Sequence, residues 1–143
     1  RIPLSLAVAV LVQLACQAFK VVLYSIRDRK LDLRYFLSAG GMPSAHSAFV
    51  TALSVAVGMA SGFGSDLFAV SCVFSLIVIY DSFRLRGAVE KQARALNALL
   101  ALHPEVKAGK LTEMVGHTPA EIAAGIAAGG GLAALAQLLL RQA

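Results

Sequence analysis

Residues 40–61 read GGMPSAHSAFVTALSVAVGMAS, a turn-forming segment with a serine and a histidine that runs directly into an uncharged apolar stretch. Glycine lets the backbone approach a ligand closely, and proline fixes the bend that follows. Serine at position 44 is a favourable residue to begin a helix, and the N-terminus of a helix attracts anions. This stretch therefore predicts a helix at a membrane boundary whose polar entrance can bind an anion such as phosphate.

The rest of the chain has the composition of a membrane protein. Hydrophobic residues make up 58% of the 143 residues, and the mean hydropathy is +0.74, whereas soluble proteins average about 45–50% apolar residues. A helix needs about 20 apolar residues to cross a bilayer. We predict a single all-α domain over residues 1–143, an integral membrane helical bundle with about four transmembrane helices, at about 2–22, 44–61, 63–80 and 119–140.

Two of these spans need a further argument. The first is N-terminal and could be a signal peptide, but no small-residue cleavage pattern follows it. The third lies between Asp66 and Asp81, and it reaches spanning length only if its helix begins near Gly62.

Neither Cys16 nor Cys72 suggests a disulfide or a metal site, because both lie inside apolar runs.

The basic residues are distributed very unevenly. Eleven of the 13 Lys and Arg lie in the two segments that join span one to span two and span three to span four. By the positive-inside rule these segments are cytoplasmic, so both termini are predicted outside. With no soluble basic face, the net charge of +5 does not indicate nucleic-acid binding. It favours anionic lipid headgroups or an anionic substrate as partners.

The segment between the last two spans contains two helical signals. Residues 84–102 carry apolar side chains at helical spacing, which predicts an amphipathic helix at the membrane interface. Thr118, Pro119 and Glu121 form a typical helix start, with a capping hydroxyl, proline at the first helical position and a glutamate three residues after the cap. Within the last span, Gly125 and Gly129 predict close packing on another helix, and we expect a homo-oligomer, most simply a dimer.

This topology brings most of the polar residues to one membrane face. Single members have simpler explanations: Lys20, Arg27 and Arg86 could follow the positive-inside rule, and Ser44 and Glu121 could only cap helices. His46 is different, because an ionisable side chain one turn into an apolar helix is costly unless it is used. Asp81 directly follows a span and should pair with a cation such as Arg86. The candidate catalytic residues are His117, His46, Asp81 and Glu121, and the candidate phosphate-binding residues are Lys20, Arg27, Gly40, Gly41, Ser44 and Arg86.

Several of these motifs resemble signatures of one superfamily. Lys20 and Arg27 resemble the K-x6-R start of the first signature of the type 2 phosphatidic acid phosphatase and vanadium haloperoxidase superfamily. Pro43-Ser44-Ala45-His46 resembles its second signature, P-S-G-H. The third signature, S-R-x5-H-x3-D, is matched only in its last half, by His117-x3-Glu121.

Nearly the whole chain is similar to the divergent membrane branch of this superfamily. The motifs that carry the similarity are Gly40-Gly41-Met42-Pro43-Ser44-x-His46-Ser47, Tyr80-Asp81-x4-Arg86, Gln92, Leu96-Asn97 and Gly116-His117-Thr118-Pro119-x-Glu121. The branch favours a second arginine at the position of Gly87 and a glycine at that of Arg84, so this chain departs from the pattern there.

The resemblance implies a membrane phosphatase, a hydrolase that acts on a lipid phosphate or an isoprenoid pyrophosphate. In that scheme His117 attacks phosphorus, His46 protonates the leaving oxygen, and Glu121 or Asp81 orients the attacking imidazole. The histidines could exchange roles, and the scheme requires no metal or cofactor. The alternative is a non-catalytic membrane protein that binds anionic lipid or phosphate for transport, sensing or scaffolding.

Overall fold

In a computed structural model of the protein, the chain is a bundle of α-helices. The structure describes residues 3–37, 40–113 and 115–142, and these ranges contain no strand. The helices are α1 (Leu4–Arg27), α2 (Ala45–Ser61), α3 (Asp66–Phe83), α4 (Leu85–Leu102) and α5 (Pro119–Gln142), with a 3-10 helix at Leu33–Leu37. The predicted fold class, an all-α membrane bundle, is confirmed. The predicted start of the first span, at residue 2, lies outside the described residues.

Within the part of the chain that the structure describes, three stretches are long and apolar enough to cross a membrane: α1, the nearly continuous pair α3 and α4, and α5. The remaining helix, α2, is apolar but only 17 residues long, and it packs against α1, α3 and α5. Because protein surrounds α2 on several sides, its apolar residues serve the core more than a lipid surface. The helix that contains His46 is therefore the centre of the bundle.

Small side chains allow the other helices to approach α2 closely. Ala48, Ala52 and Ala56 have no exposed surface, and they pack with residues of α1 such as Val8 and Ala9. Lipid tails are as apolar as these side chains, so close van der Waals packing has to hold membrane helices together. The core of this bundle is built for such contact.

Gly125 and Gly129 of α5 pack against the backbone of α2, as their spacing predicts. A Cβ atom at Gly125 would overlap the carbonyl oxygen of Ser44, and one at Gly129 would overlap that of Ala48. The predicted close contact is confirmed, and its partner is a helix of the same chain. Since this face is covered within the chain, it gives no support to the predicted dimer, which stays a prediction.

The third helix begins at Asp66 and not near Gly62. Gly62 has a φ of 93° and its N–H donates to the Gly58 carbonyl at 2.9 Å, which ends α2. The Ser65 hydroxyl then accepts from the Phe68 N–H at 3.2 Å, which caps α3. From there α3 runs to Phe83, and only Arg84 separates it from α4.

The segment after α4 runs back along that helix towards α5. The Asn97 side chain donates to the Leu111 carbonyl at 2.9 Å, and the Gly116 N–H donates to the Glu90 carboxylate at 3.1 Å. A Cβ at Gly116 would lie 2.9 Å from the Cα of Gly87, near the start of α4, so the two backbones nearly touch. These contacts place His117 at the junction of α3, α4 and α5. The location of α4 at the membrane interface stays a prediction.

Candidate active site

Two side chains of α1 hold the glycine-rich turn that precedes α2. The Lys20 ammonium, which has no exposed surface, donates to the Gly40 carbonyl at 3.0 Å, and the Tyr24 hydroxyl accepts from the Met42 N–H at 3.1 Å. Gly41 has a φ of 93°, and any Cβ there would lie 2.7 Å from the Tyr24 hydroxyl oxygen. Position 41 therefore requires glycine for both its backbone conformation and its close contact with Tyr24.

Ser44 joins the starts of α2 and α5. Its hydroxyl accepts from the Ser47 N–H at 3.3 Å, which makes it the N-cap of α2. The Ser47 hydroxyl lies 3.0 Å away and donates to the same oxygen. In addition, the Ser44 N–H donates to the Glu121 carbonyl at 3.0 Å. These bonds fix the first turn of α2, which contains His46, against the first turn of α5.

Glu121 caps α5 and also contacts the ring of His117. Its carboxylate accepts from the Thr118 N–H at 2.9 Å, and the Thr118 hydroxyl accepts from the Glu121 N–H at 3.3 Å. This reciprocal pair confirms the capping box predicted from the sequence. The same carboxylate oxygen lies 3.4 Å from Nδ1 of His117, so capping alone does not account for this residue.

The two histidines face each other across the site. The ring centroids of His46 and His117 are 6.0 Å apart, with the rings tilted by 60°. Nδ1 of His46 and Nε2 of His117 are both buried, and among the described residues neither has a hydrogen-bond partner. A buried polar nitrogen without a partner is costly, so this pair of nitrogens suggests a ligand that supplies oxygen atoms.

The environment of His117 favours the neutral imidazole. Burial lowers the pKa of His117 below its ordinary value of 6.5, and the positive charges of Lys20 and Arg86 lower it further, although Glu121 opposes them. The His117 N–H donates to the Ser82 carbonyl at 3.2 Å, which anchors the residue to the end of α3. A neutral ring with Nδ1 against a carboxylate presents its Nε2 as a nucleophile or base.

The remaining predicted residues divide into two groups. Arg86 donates to the Asp81 carboxylate at 3.2 Å, the ion pair predicted from the sequence, and both charges lie within electrostatic range of His46. Arg27 points elsewhere: its guanidinium pairs with Asp28 at 3.1 Å and lies over the Tyr24 ring, 4.7 Å from its centroid. Its side chain is 68% exposed, so the structure does not bring Arg27 to the histidines.

A polar cavity of about 710 Å³ opens beside His117. Its walls include His117, Glu121 and Gly41. They also include three cations, Arg84 just before α4 and Lys91 and Arg94 within it, and Glu90, which pairs with Arg94. The sequence pattern at residues 84–102 predicted an amphipathic helix and gave these cations no role in the site. Their positions, spaced by seven and three residues along α4, share one helical face, and this spacing is the signal that could have identified them.

The fold and the site together define a helical membrane protein with a buried histidine pair and a cation-lined cavity at one end of the bundle. The chain belongs to the Divergent PAP2 family, whose sequence profile matches residues 4–132. One relative is the "Uncharacterized membrane protein YuiD" of Bacillus subtilis (strain 168), 40% identical over 121 residues, which cover 74% of this chain and 76% of the relative. No solved structure matches the chain significantly.

Proposed function

We propose that this protein is a membrane phosphatase that hydrolyses a lipid phosphate or an isoprenoid pyrophosphate through a phosphohistidine intermediate. The observation that carries the proposal is the His46–His117 pair, with centroids 6.0 Å apart and one unpartnered buried nitrogen on each ring. This separation lies within the ~4–7 Å over which two side chains can act on one phosphoryl group.

His117 is the proposed nucleophile. The Glu121 carboxylate against Nδ1 favours the tautomer that carries its proton there, so the lone pair is on Nε2. In the first step Nε2 attacks phosphorus, the P–O bond to the leaving group breaks, and His46 donates a proton to the departing oxygen. In the second step His46 removes a proton from water, water attacks phosphorus, the P–N bond breaks, and phosphate is released.

Fixed positive charges support a transition state in which negative charge spreads over the phosphoryl oxygens. Lys20 and Arg86 both act electrostatically on His46 and His117. Lys20 already donates to Gly40, so it contributes by its field and by holding the turn, whereas Arg86 is half-exposed and can rotate towards an anion. Arg27 has no direct role in this arrangement, because its guanidinium pairs with Asp28 and lies over the Tyr24 ring.

Access to the histidine pair requires side-chain movement. The His117 side chain has no exposed surface, so a phosphate entering from the polar cavity must displace part of the wall. Arg84, which lines the cavity, is the part of the wall that we expect to move, because long cationic side chains can change rotamer at a surface. Binding of the anion would then supply the oxygen atoms that the two buried nitrogens lack.

The distribution of charge supports a cytoplasmic site. Eleven of the 13 Lys and Arg flank the end of the bundle that contains the histidines, which the positive-inside rule assigns to the cytoplasm. A cysteine introduced at Gly109, in the open segment after α4, should react with a membrane-impermeant maleimide only after the cells are permeabilised. Labelling of intact cells would reverse the assigned orientation.

The direct test is phosphate release by purified protein from phosphatidic acid and from a prenyl diphosphate in mixed micelles. Turnover should be lost in His117→Ala and in His46→Ala, while circular dichroism shows that the helices persist. A phosphorylated intermediate that is stable in alkali and labile in acid should form in the wild type and be absent from His117→Ala.

The third histidine of the chain provides the matched control. His103 is 61% exposed, pairs with Glu105 and lies outside the site, so His103→Ala should retain full turnover. If both site variants also retain turnover, the catalytic assignment is wrong. If the wild type binds lipid phosphate saturably and never releases phosphate, the protein is the non-catalytic binder.

A further inference from the structure

A second cavity, lined by aliphatic and aromatic side chains, lies next to the proposed site. This apolar groove has a volume of about 590 Å³ and runs between the end of α3 and the start of α5. Its walls include Leu76, Ile79, Tyr80 and Phe83 of α3 and Pro119 and Ile122 of α5. From Leu76 to Phe83 it extends about 10 Å along the helix, at ~1.5 Å per residue.

The apolar groove and the polar cavity share a wall. Phe83 lines both, and the His117 N–H donates to the carbonyl of the adjacent Ser82 at 3.2 Å. At the start of α5, Pro119 lines the groove, and Thr118, the residue just before it, lines the cavity. One molecule can therefore occupy both spaces only if it has a polar end and an apolar end.

The charges of the two spaces are complementary to such a molecule. Arg84, Lys91 and Arg94 line the polar cavity together with the carboxylates of Glu90 and Glu121, so that cations outnumber carboxylates there. No charged residue is among those that line the groove. We propose that the apolar groove binds the hydrocarbon chain of the same lipid phosphate whose headgroup enters the polar cavity. This inference rests on the proposed function, and it assigns the side of the bundle from which the substrate enters, between α3 and α5.

Another occupant of this groove, and another site for the hydrocarbon chain, fit less well. A second protein chain would need about 800 Å² of surface on each partner, more than a groove about 10 Å long between two helices provides. A second apolar groove of about 440 Å³ lies between α1 and α5 and is lined by Phe19, Pro43 and Ala128 among others. It has no lining residue in common with the polar cavity, so a chain bound there would not be continuous with the cations of α4.

The test uses tryptophan fluorescence, because the sequence contains no tryptophan. Single reporters are placed in the proposed groove (Tyr80→Trp), in the second groove (Phe19→Trp) and on the lipid-facing surface of α3 (Val70→Trp). Tyr80 and Val70 are matched in exposure, at 65% and 66%. The probe is an alkyl phosphonate with bromine at mid-chain, added to the purified protein in detergent micelles, since bromine quenches only nearby fluorophores.

Quenching of Tyr80→Trp should be saturable and should be reversed by excess inorganic phosphate, which competes for the headgroup position. Val70→Trp should show only weak, non-saturating quenching from probe dissolved in the micelle. A brominated alcohol of the same chain length should not saturate any reporter, because it lacks the anionic end. Leu76→Trp, at the other end of the groove, provides a second reporter if Tyr80→Trp does not fold.

Three results would overturn the inference: saturable quenching at Phe19→Trp in place of Tyr80→Trp, equal quenching at Tyr80→Trp and Val70→Trp, or saturable quenching that phosphate does not reverse. The last result would mean that the groove holds ordinary membrane lipid. The experiment needs no turnover. If the alkyl phosphonate binds in the groove but the protein does not hydrolyse lipid phosphates, only the proposed function is refuted. Turnover without saturable quenching at either groove reporter would refute only the inference.

Discussion

The contact between Gly129 and Ala48 allows the packing of α5 on α2 to be tested with a single methyl group. In Gly129→Ala the new Cβ would overlap the Ala48 carbonyl oxygen and lie 2.7 Å from the Ala48 Cα. Neither atom belongs to a flexible side chain, so the two helices must separate. Forcing an extra carbon into a well-packed core costs about 1–3 kcal/mol.

Gly131 provides the control, because it lies in the same helix and a Cβ there would meet nothing within 4 Å. Both substitutions gain the helix propensity of alanine over glycine, about 1 kcal/mol, and this gain cancels in the comparison. We therefore expect Gly129→Ala to be less stable than Gly131→Ala by about 1–3 kcal/mol. The measurement is reversible unfolding in mixed micelles of dodecyl sulfate and a mild detergent, followed by circular dichroism.

Separation of α2 from α5 would also move His46 relative to His117, because the first turns of these helices contain or adjoin the two rings. Gly129→Ala should therefore weaken phosphate binding, whereas Gly131→Ala should not. Equal stability of the two variants would refute the close packing of α5 on α2 and, with it, the geometry of the site.

Three further predictions concern the charges of the site. Glu121→Gln keeps an oxygen for the Thr118 cap but loses the charge against His117, so turnover should fall by about 10²-fold or more with little change in the helical circular dichroism signal. Burial lowers the pKa of His117 in the folded protein, so just below pH 6.5 the unfolded chain binds more protons than the folded one. The free energy of unfolding should therefore fall as the pH drops through this range, and it should fall less in His117→Gln. Gly87 lines the polar cavity with open space at its Cβ, so Gly87→Arg should tighten phosphate binding by about fivefold, corresponding to about 1 kcal/mol, as measured by calorimetry. Gly109→Arg adds the same charge at another open glycine outside the cavity; equal tightening in both variants would show that only net charge matters.

Local patterns in the sequence were sufficient for the class of the protein and for several details of the site. Apolar runs indicated membrane helices, and the residues Thr118, Pro119 and Glu121 indicated the start of α5. The ion pair between Asp81 and Arg86 followed from the cost of an unpaired carboxylate next to a span. All of these properties depend on composition or on neighbours a few residues away, and for this reason they can be read from the chain alone.

Tertiary structure decided which faces of the helices meet. Lys20 and Arg27 share a helical face by spacing, yet Lys20 holds the turn at Gly40 and Arg27 is engaged with Asp28 and Tyr24. Gly125 and Gly129 indicated close packing, but only the fold identified α2 of the same chain as the partner.

The glycine-rich stretch at residues 40–47 shows the same division. By itself it determined a helix start with a hydroxyl and an imidazole. The His46 ring in this stretch lies 6.0 Å from the His117 ring, measured between centroids. That distance depends on the start of α5, some 70 residues later in the chain, packing at the end of α3. The physical reason is that the distance between helix ends is set by packing between remote segments, which no local spacing encodes.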